Sequence, residues 1–346
     1  MQDRGGSSAG GNRKGDRNRD QVTGRILFEP DLDTSILKTR QIGLIGYGSQ
    51  GRAQALNLRD SGFAPLIGLR PGPSFETASR DGFAPASPQE VSSASDIIML
   101  LTPDETHAEI CDRIVTPSAR DGTHIGFSAG FSVHYGVCRI RKGLRPILAA
   151  PKGPGSVLRE KYKQGMGIPA LVAARDGDAE GLEIAKAYAT ALGCARAGVV
   201  VTTFREEAIA DLFGEQSVLC GGLVELMKGA FGVLVDRGYA PEVAYIECVS
   251  EVEYMASLIA RVGLADLEKH ISSTAFYGGV TRGRRVIDRG TRKRLESVLD
   301  EIESGRFYEE FRRSVELAGS RRPGSGDLER MERARTAFRT ESEDAR

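Results

Sequence analysis

A short apolar run, QIGLIG, shares its last glycine with GYGSQG, and the residues after it, RAQALNLRDSG, are good helix formers ending on Gly62. Strand, glycine turn and helix in that order leave few architectures open, foremost a parallel sheet with helical crossovers. Gly46, Gly48 and Gly51 stand at GxGxxG spacing. The first permits a tight turn, the second lets backbone approach a pyrophosphate, and the third lets helix pack on strand. A bare GxGxxG is weak, since a glycine turn also has purely structural uses. Between a strand and a helix it reads as a dinucleotide loop, with Tyr47, Ser49 and Gln50 as its other members.

The chain continues in the same style. FAPLIGLR, DIIMLLTP, THIGFSA and RPILAAP are further short apolar strands separated by helical or loop segments. The alternation predicts an α/β domain, a Rossmann-type doubly wound parallel sheet over residues 25–203. The end of the second strand decides the cofactor. NAD-binding folds place an acidic residue there for the ribose 2′-hydroxyl. Here stands Arg70, with Ser74 in the following loop. A cation and a hydroxyl suit a 2′-phosphate, so NADPH is expected; a plain surface charge is the alternative for Arg70.

After Thr203 strand signals fade and long amphipathic stretches follow, with Gly238 at a helix stop and Pro241 at a helix start. Residues 204–318 are expected to form an all-helical domain, with a polar disordered segment at 1–24 and a charged tail at 319–346. Two acidic pairs in the helical half stand at i, i+4 spacing: Asp211 with Glu215, and Glu247 with Glu251. Like charges so spaced share a helix face and destabilise it slightly. Solvated surface is the bland reading. The flanks are apolar, however, and carboxylates among apolar neighbours need cationic compensation, for which Mg²⁺ is the simplest partner. Two ions held by the four carboxylates would suit vicinal oxygens on a substrate.

Formal charge is zero, so nothing global points to nucleic acid or an anionic membrane. No apolar run is expected to span a bilayer, and the N-terminus lacks a signal-peptide stretch. The five cysteines are scattered without CxxC spacing. They read as buried free thiols in a cytoplasmic protein.

Five segments, GYGSQGRAQALNLRDSG, APKGPGSVLREKYKQGMGIP, DLFGEQSVLCGGLVEL, GYAPEVAYIEC and ISSTAFYGG, resemble in order and spacing the signatures of short-chain ketol-acid reductoisomerases. The resemblance covers residues 28–288. It implies a knotted helical domain and Mg²⁺-dependent alkyl migration in a 2-hydroxy-3-oxo acid, such as acetolactate, coupled to reduction by NADPH. By resemblance Asp211, Glu215, Glu247 and Glu251 hold two Mg²⁺ per site. Lys152 lies in the active site, Gly155 belongs to the cofactor-lining PKGPG segment, and Ser272 binds substrate carboxylate. Asp211 and Glu251 join Lys152 as the catalytic set. Two subunits would interlock so that each site draws on both, giving a homodimer or a multiple of dimers.

The departures gather at the pocket. Ala129 replaces a family histidine, Ser156 another, and Ile209 and Ala210 replace polar residues before DLFGEQ. Ser250, Glu253, Tyr254, Ser273 and Phe276 also differ from the family pattern. His107 could border the nicotinamide, His270 could line the pocket, and His124 reads as structural. Two rivals to the family's own activity therefore stand: a specialised reductase that does not isomerise, on a related oxo or imine substrate, and a catalytically dead NADPH-binding partner protein.

Overall fold

The computed structural model describes residues 24–317 and 326–337. The polar N-terminal segment up to residue 23 and much of the expected C-terminal tail lie outside them. Contacts divide the chain into two units, Met1–Ala208 and Ile209–Arg346.

Eight strands form one sheet in the first unit: β1 (Ile26–Leu27), β2 (Ile42–Ile45), β3 (Leu66–Gly68), β4 (Ile97–Leu100), β5 (His124–Phe127), β6 (Arg145–Pro151), β7 (Ala170–Ala174) and β8 (Val199–Val201). Their spatial order is β1-β8-β7-β6-β5-β4-β2-β3. Every residue of β2, β4 and β5 is buried, as a sheet covered on both faces demands of its central strands. The expected all-parallel sheet holds for β3, β2, β4, β5 and β6 only; β7 runs antiparallel to β6, and β1 antiparallel to β8. The crossover after β6 explains the reversal. Its helix, Gly155–Lys163, is followed by an extended return that pairs Ala170 with Pro151, at the end of β6 the chain had just left.

The boundary between units falls inside the helix Phe204–Gly214, a few residues past the expected one. Glu207 and Ala208 are buried in the first unit, so the opening turn of that helix belongs to it.

The second unit is helical, with a small buried cluster of Phe231, Ala244, Met331 and Ala334. Two of those four come from the helix Gly326–Ala337, which lies within the expected charged tail. Met331 and Ala334 lie three residues apart on one face, enough to dock a helix that is otherwise Arg- and Glu-rich. The membrane expectation also needs correction. The helical stretch Phe204–Asp236 is long and apolar enough to cross a membrane by length and composition, with mean hydropathy 1.8 in its best window. From Val218 to Val235 only Glu225 and Lys228 are charged, although acidic residues crowd the stretch before it.

The cysteines depart from expectation as well. Cys111 and Cys138 form a disulfide with Cα atoms 5.9 Å apart, both buried in the core beside β4 and β5. A separation of 27 residues carries no motif, so spacing had no means of revealing it. Among the rest, Cys194 is buried, and burial pushes its thiol up to about 12. The cysteines therefore no longer argue for a reducing compartment. Closing a loop of 27 residues stabilises the first unit by about 3.5 kcal/mol on chain-entropy grounds. Urea unfolding with and without reductant should differ by that order.

Candidate active site

Strand order reverses at β2, whose neighbours are β3 and β4. The crevice beyond the carboxyl ends of these strands is the usual ligand position of such sheets. The glycine loop sits there. Gly46 has φ +108°, and a Cβ on it would meet the Leu101 carbonyl oxygen at 2.5 Å. A Cβ on Gly51 would strike the Gly46 carbonyl, whereas one on Gly48 would meet nothing within 4 Å. Two glycines thus close the turn and the third leaves room for a ligand at the start of the helix Ser49–Asp60, where free backbone N–H groups favour phosphate. Tyr47 contributes no free side chain. Its hydroxyl donates to Asp81 Oδ2 at 2.9 Å, and Arg52 grips the same carboxylate at 2.7 and 3.0 Å. The Arg52 hydrogen bonds hold the Asp81 carboxyl below its ordinary pKa, and burial raises that of Tyr47.

A second loop braces the first. Gln50 Nε2 donates to the Gly153 carbonyl at 2.8 Å, and a Cβ on Gly155 would collide with the Ser49 carbonyl. Gly155 therefore serves by close approach to the glycine loop. The buried Gln54 donates to Gln50 and to Ser128 Oγ and accepts from Tyr188, adding the segment after β5 to the assembly. Alanine at Gly155 should displace Ser49 and weaken dinucleotide binding by about 1–3 kcal/mol, roughly 5- to 150-fold in Kd by fluorescence titration.

Arg70 and Ser74 lie past the end of β3, at the same edge of the sheet, and both are exposed. No described residue pairs with the Arg70 guanidinium in a recorded hydrogen bond or ion pair, and Ser74 opens the first turn of the helix Pro73–Arg80. The pair is thus available to an anionic group on a bound nucleotide.

Lys152 follows β6. Its Nζ lies 2.5 Å from Oε1 of Glu207, a carboxylate with no solvent exposure, and Glu207 Oε2 accepts from the Gly130 N–H at 2.5 Å. A buried carboxylate clamped between a lysine and a backbone donor is a costly arrangement, of the kind found where function requires it. Glu207 was missed in the sequence. Its signal was there: Glu207, Asp211 and Glu215 recur at four-residue intervals along one helical stretch.

The histidines occupy different environments. His107 does not border an open site; it is 4% exposed, its Nδ1 accepts from Ser132 Oγ at 2.7 Å, and its Nε2 donates to the Thr102 carbonyl at 3.0 Å. His124 is buried at the start of β5, the opposite edge of the sheet, in keeping with a structural role. His270 is exposed in the second unit. Burial lowers the pKa of His107, His124 and His134. Each is held neutral in the fold, so this stability is fully present above the ordinary imidazole pKa of about 6.5 and lost as pH falls below it. Urea midpoints measured at about pH 7.5 and pH 5.5 should therefore decline toward acid.

In the second unit both acidic pairs meet π-helical turns. Glu215 opens Glu215–Leu219, and Glu247 lies within Ile246–Ser250, immediately before Glu251. Such turns are frequent at functional sites. Among the described residues no three His, Cys, Asp or Glu side chains converge as a metal cluster. Glu215, Glu247 and Glu251 are exposed and Asp211 is half-buried, so the burial argument for a cation does not hold within one chain. Ser272 is exposed, and its Oγ accepts from Ala275 N–H at 3.2 Å as the N-cap of Ser273–Val286.

Residues 36–198 match the family model for the acetohydroxy acid isomeroreductase NADPH-binding domain, and residues 204–345 that for the ketol-acid reductoisomerase C-terminal domain. Over 287 residues the chain is 47% identical to the ketol-acid reductoisomerase (NADP(+)) of Tremblaya princeps, covering 83% of this chain and 88% of that one. The chain belongs to the ketol-acid reductoisomerase family. The Methanocaldococcus jannaschii enzyme of the same name is 44% identical over 289 residues, 83% of this chain and 88% of its own length. Among solved structures, an NADH-preferring ketol-acid reductoisomerase from an uncultured archaeon superimposes with a TM-score of 0.82 at 37% identity, over 85% of this chain and 91% of that one.

Within this ketol-acid reductoisomerase framework the two family models meet close to the helix that carries Glu207. Ala129, the most conspicuous departure, is half-buried between Ser128 and Gly130, both of which are engaged by other residues. Ser156 is exposed in the first turn of Gly155–Lys163.

Proposed function

We propose that this chain is an NADPH- and Mg²⁺-dependent ketol-acid reductoisomerase acting on a 2-hydroxy-3-oxo acid such as acetolactate. The observation that carries the reading is the glycine loop at the sheet's switch point, with Lys152 and Glu207 at the same edge. The open face of Gly48 fits a pyrophosphate, and Arg70 with Ser74 fits a 2′-phosphate. Replacing Arg70 by alanine should raise the KM for NADPH about 10- to 100-fold, the worth of charge-assisted hydrogen bonds, and leave that for NADH little changed.

Asp211, Glu215, Glu247 and Glu251 offer only oxygen donors, the set a hard divalent cation takes. Each pair alone supplies too few ligands for six-coordination, which supports a site completed by a second copy of the chain. When bound, the metal would polarise the substrate's carbonyl and hydroxyl oxygens. The chain's own part is distinct. Lys152 holds a positive charge near developing oxyanion charge, Glu207 fixes the ammonium in place, and Glu251 is the candidate to accept the hydroxyl proton. Ser272, at a helix N-cap, would donate to the substrate carboxylate.

A homodimer, or a multiple of dimers, is supported by the apolar side chains the second unit exposes, among them Val218, Leu219, Val233, Tyr254, Leu264 and Tyr277. Only 11% of the apolar window of Phe204–Asp236 is buried in the single chain. Sedimentation should give at least twice the chain mass; a monomer at micromolar concentration would refute the shared site.

Ala129 favours a second reading, reduction without migration, because no side chain at that position can carry a proton. The test is NADPH oxidation with Mg²⁺ and racemic acetolactate, beside the same assay with the already migrated 3-hydroxy-2-oxo acid. Turnover of both supports the reductoisomerase. Turnover of the second alone supports the reductase. Turnover of neither, by protein that binds NADPH, refutes both.

A further inference from the structure

Two ties join the segments that follow β4 and β5. Cys111 is bonded to Cys138, and a turn away His107 Nδ1 accepts from Ser132 Oγ at 2.7 Å. The Cys138 N–H donates to the Ser132 carbonyl at 3.2 Å, and Cys138 Sγ lies 4.0 Å from the His107 carbonyl oxygen. Cys111, Cys138, His107 and Ser132 are each at most 5% exposed, so the ties form one buried knot of contacts.

Residues 128–138 contain a single short helix, Phe131–His134, and a left-handed Gly136, and pair with no strand. Gln54 holds the near end at Ser128, His107 holds the middle at Ser132, and the Cys111–Cys138 bond holds the far end. Between these anchors lies Gly130, whose N–H holds the Glu207 carboxylate that faces Lys152.

We infer that the Cys111–Cys138 bond is a positioning element for the reaction: by fixing the far end of residues 128–138, it keeps the Gly130 N–H on Glu207 and so sets where Lys152 stands. The inference rests on the reading of Lys152 as an active-site residue. Opening the bond leaves the far end without its covalent link, held by weaker non-covalent contacts such as the Cys138 N–H on the Ser132 carbonyl. Nucleotide binding is affected less, because the glycine loop is held by Asp81 and Gly153 instead.

The experiment treats full-length protein with dithiothreitol. Exchange moves two electrons and two protons to the cysteine sulfurs, leaving two thiols, and the reagent closes to its cyclic disulfide; a mass gain of two hydrogen atoms verifies the step. Amide exchange at Gly130 is expected to quicken about tenfold or more on reduction. The kcat for acetolactate should fall by about tenfold while the KM for NADPH holds, since the lost contact acts on the reacting site alone. The Cys111→Ala/Cys138→Ala variant should reproduce the reduced state and no longer respond to dithiothreitol. Unchanged Gly130 exchange after verified reduction overturns the inference, as does unchanged kcat with faster exchange. If neither form turns over acetolactate, the activity reading fails, and Gly130 exchange still decides whether the tie holds the segment.

Discussion

Asparagine in place of Asp211 is expected to lower Mg²⁺-dependent turnover about 10³-fold, the equivalent of roughly 4 kcal/mol of lost transition-state stabilisation. The exchange is nearly isosteric and the side chain is only half-buried, so the fold should survive. What it removes is one negative charge from the proposed donor set, of which each acidic pair alone supplies too few ligands for six-coordination. NADPH affinity should stay within about twofold, because the glycine loop belongs to the other unit. Raising Mg²⁺ should recover part of the rate. A variant with wild-type turnover at low Mg²⁺ would remove Asp211 from the metal site, and loss of NADPH binding would point to misfolding instead.

The second large effect concerns Lys152. Methionine there should cut kcat by about 10²–10⁴-fold, the range for losing a polar group at the reacting centre. It should also destabilise the first unit by about 3 kcal/mol, because Glu207 stays buried without its ammonium partner. The double variant Lys152→Met/Glu207→Gln separates the two losses. With both charges removed, stability should return to near wild type by urea denaturation, and activity should not. Restored activity in the double variant would reduce the pair to a structural salt bridge.

The glycine loop was legible because each glycine answers a local steric need, and the structure shows two of the three needs as collisions a Cβ would cause. The central strands were legible because two-sided burial leaves near-continuous apolar runs, IGLI, IIML and HIGF. What stayed hidden depends on contacts between distant residues. The Cys111–Cys138 bond has no spacing signature, and the reversal at β7 depends on where residues 164–169 carry the chain. Gly326–Ala337 escaped because its apolar stripe is narrow amid Arg and Glu. Glu207 was overlooked for a different reason: the four-residue rhythm was read from Asp211 onward, whereas it begins one turn earlier.

A π turn is a helix with one residue too many. The stretches Cys111–Val115, Glu215–Leu219 and Ile246–Ser250 each carry that surplus, one at the disulfide and one at each acidic pair. Deleting a single residue from such a turn would remove the surplus and restore ordinary α winding, while the helix beyond it would keep close to its present orientation. Within the turns themselves the side chains would take new directions, Glu215 and Glu247 among them. The extra residue therefore sets where one member of each acidic pair points, and deleting it is expected to cost more turnover than substituting an exposed neighbour.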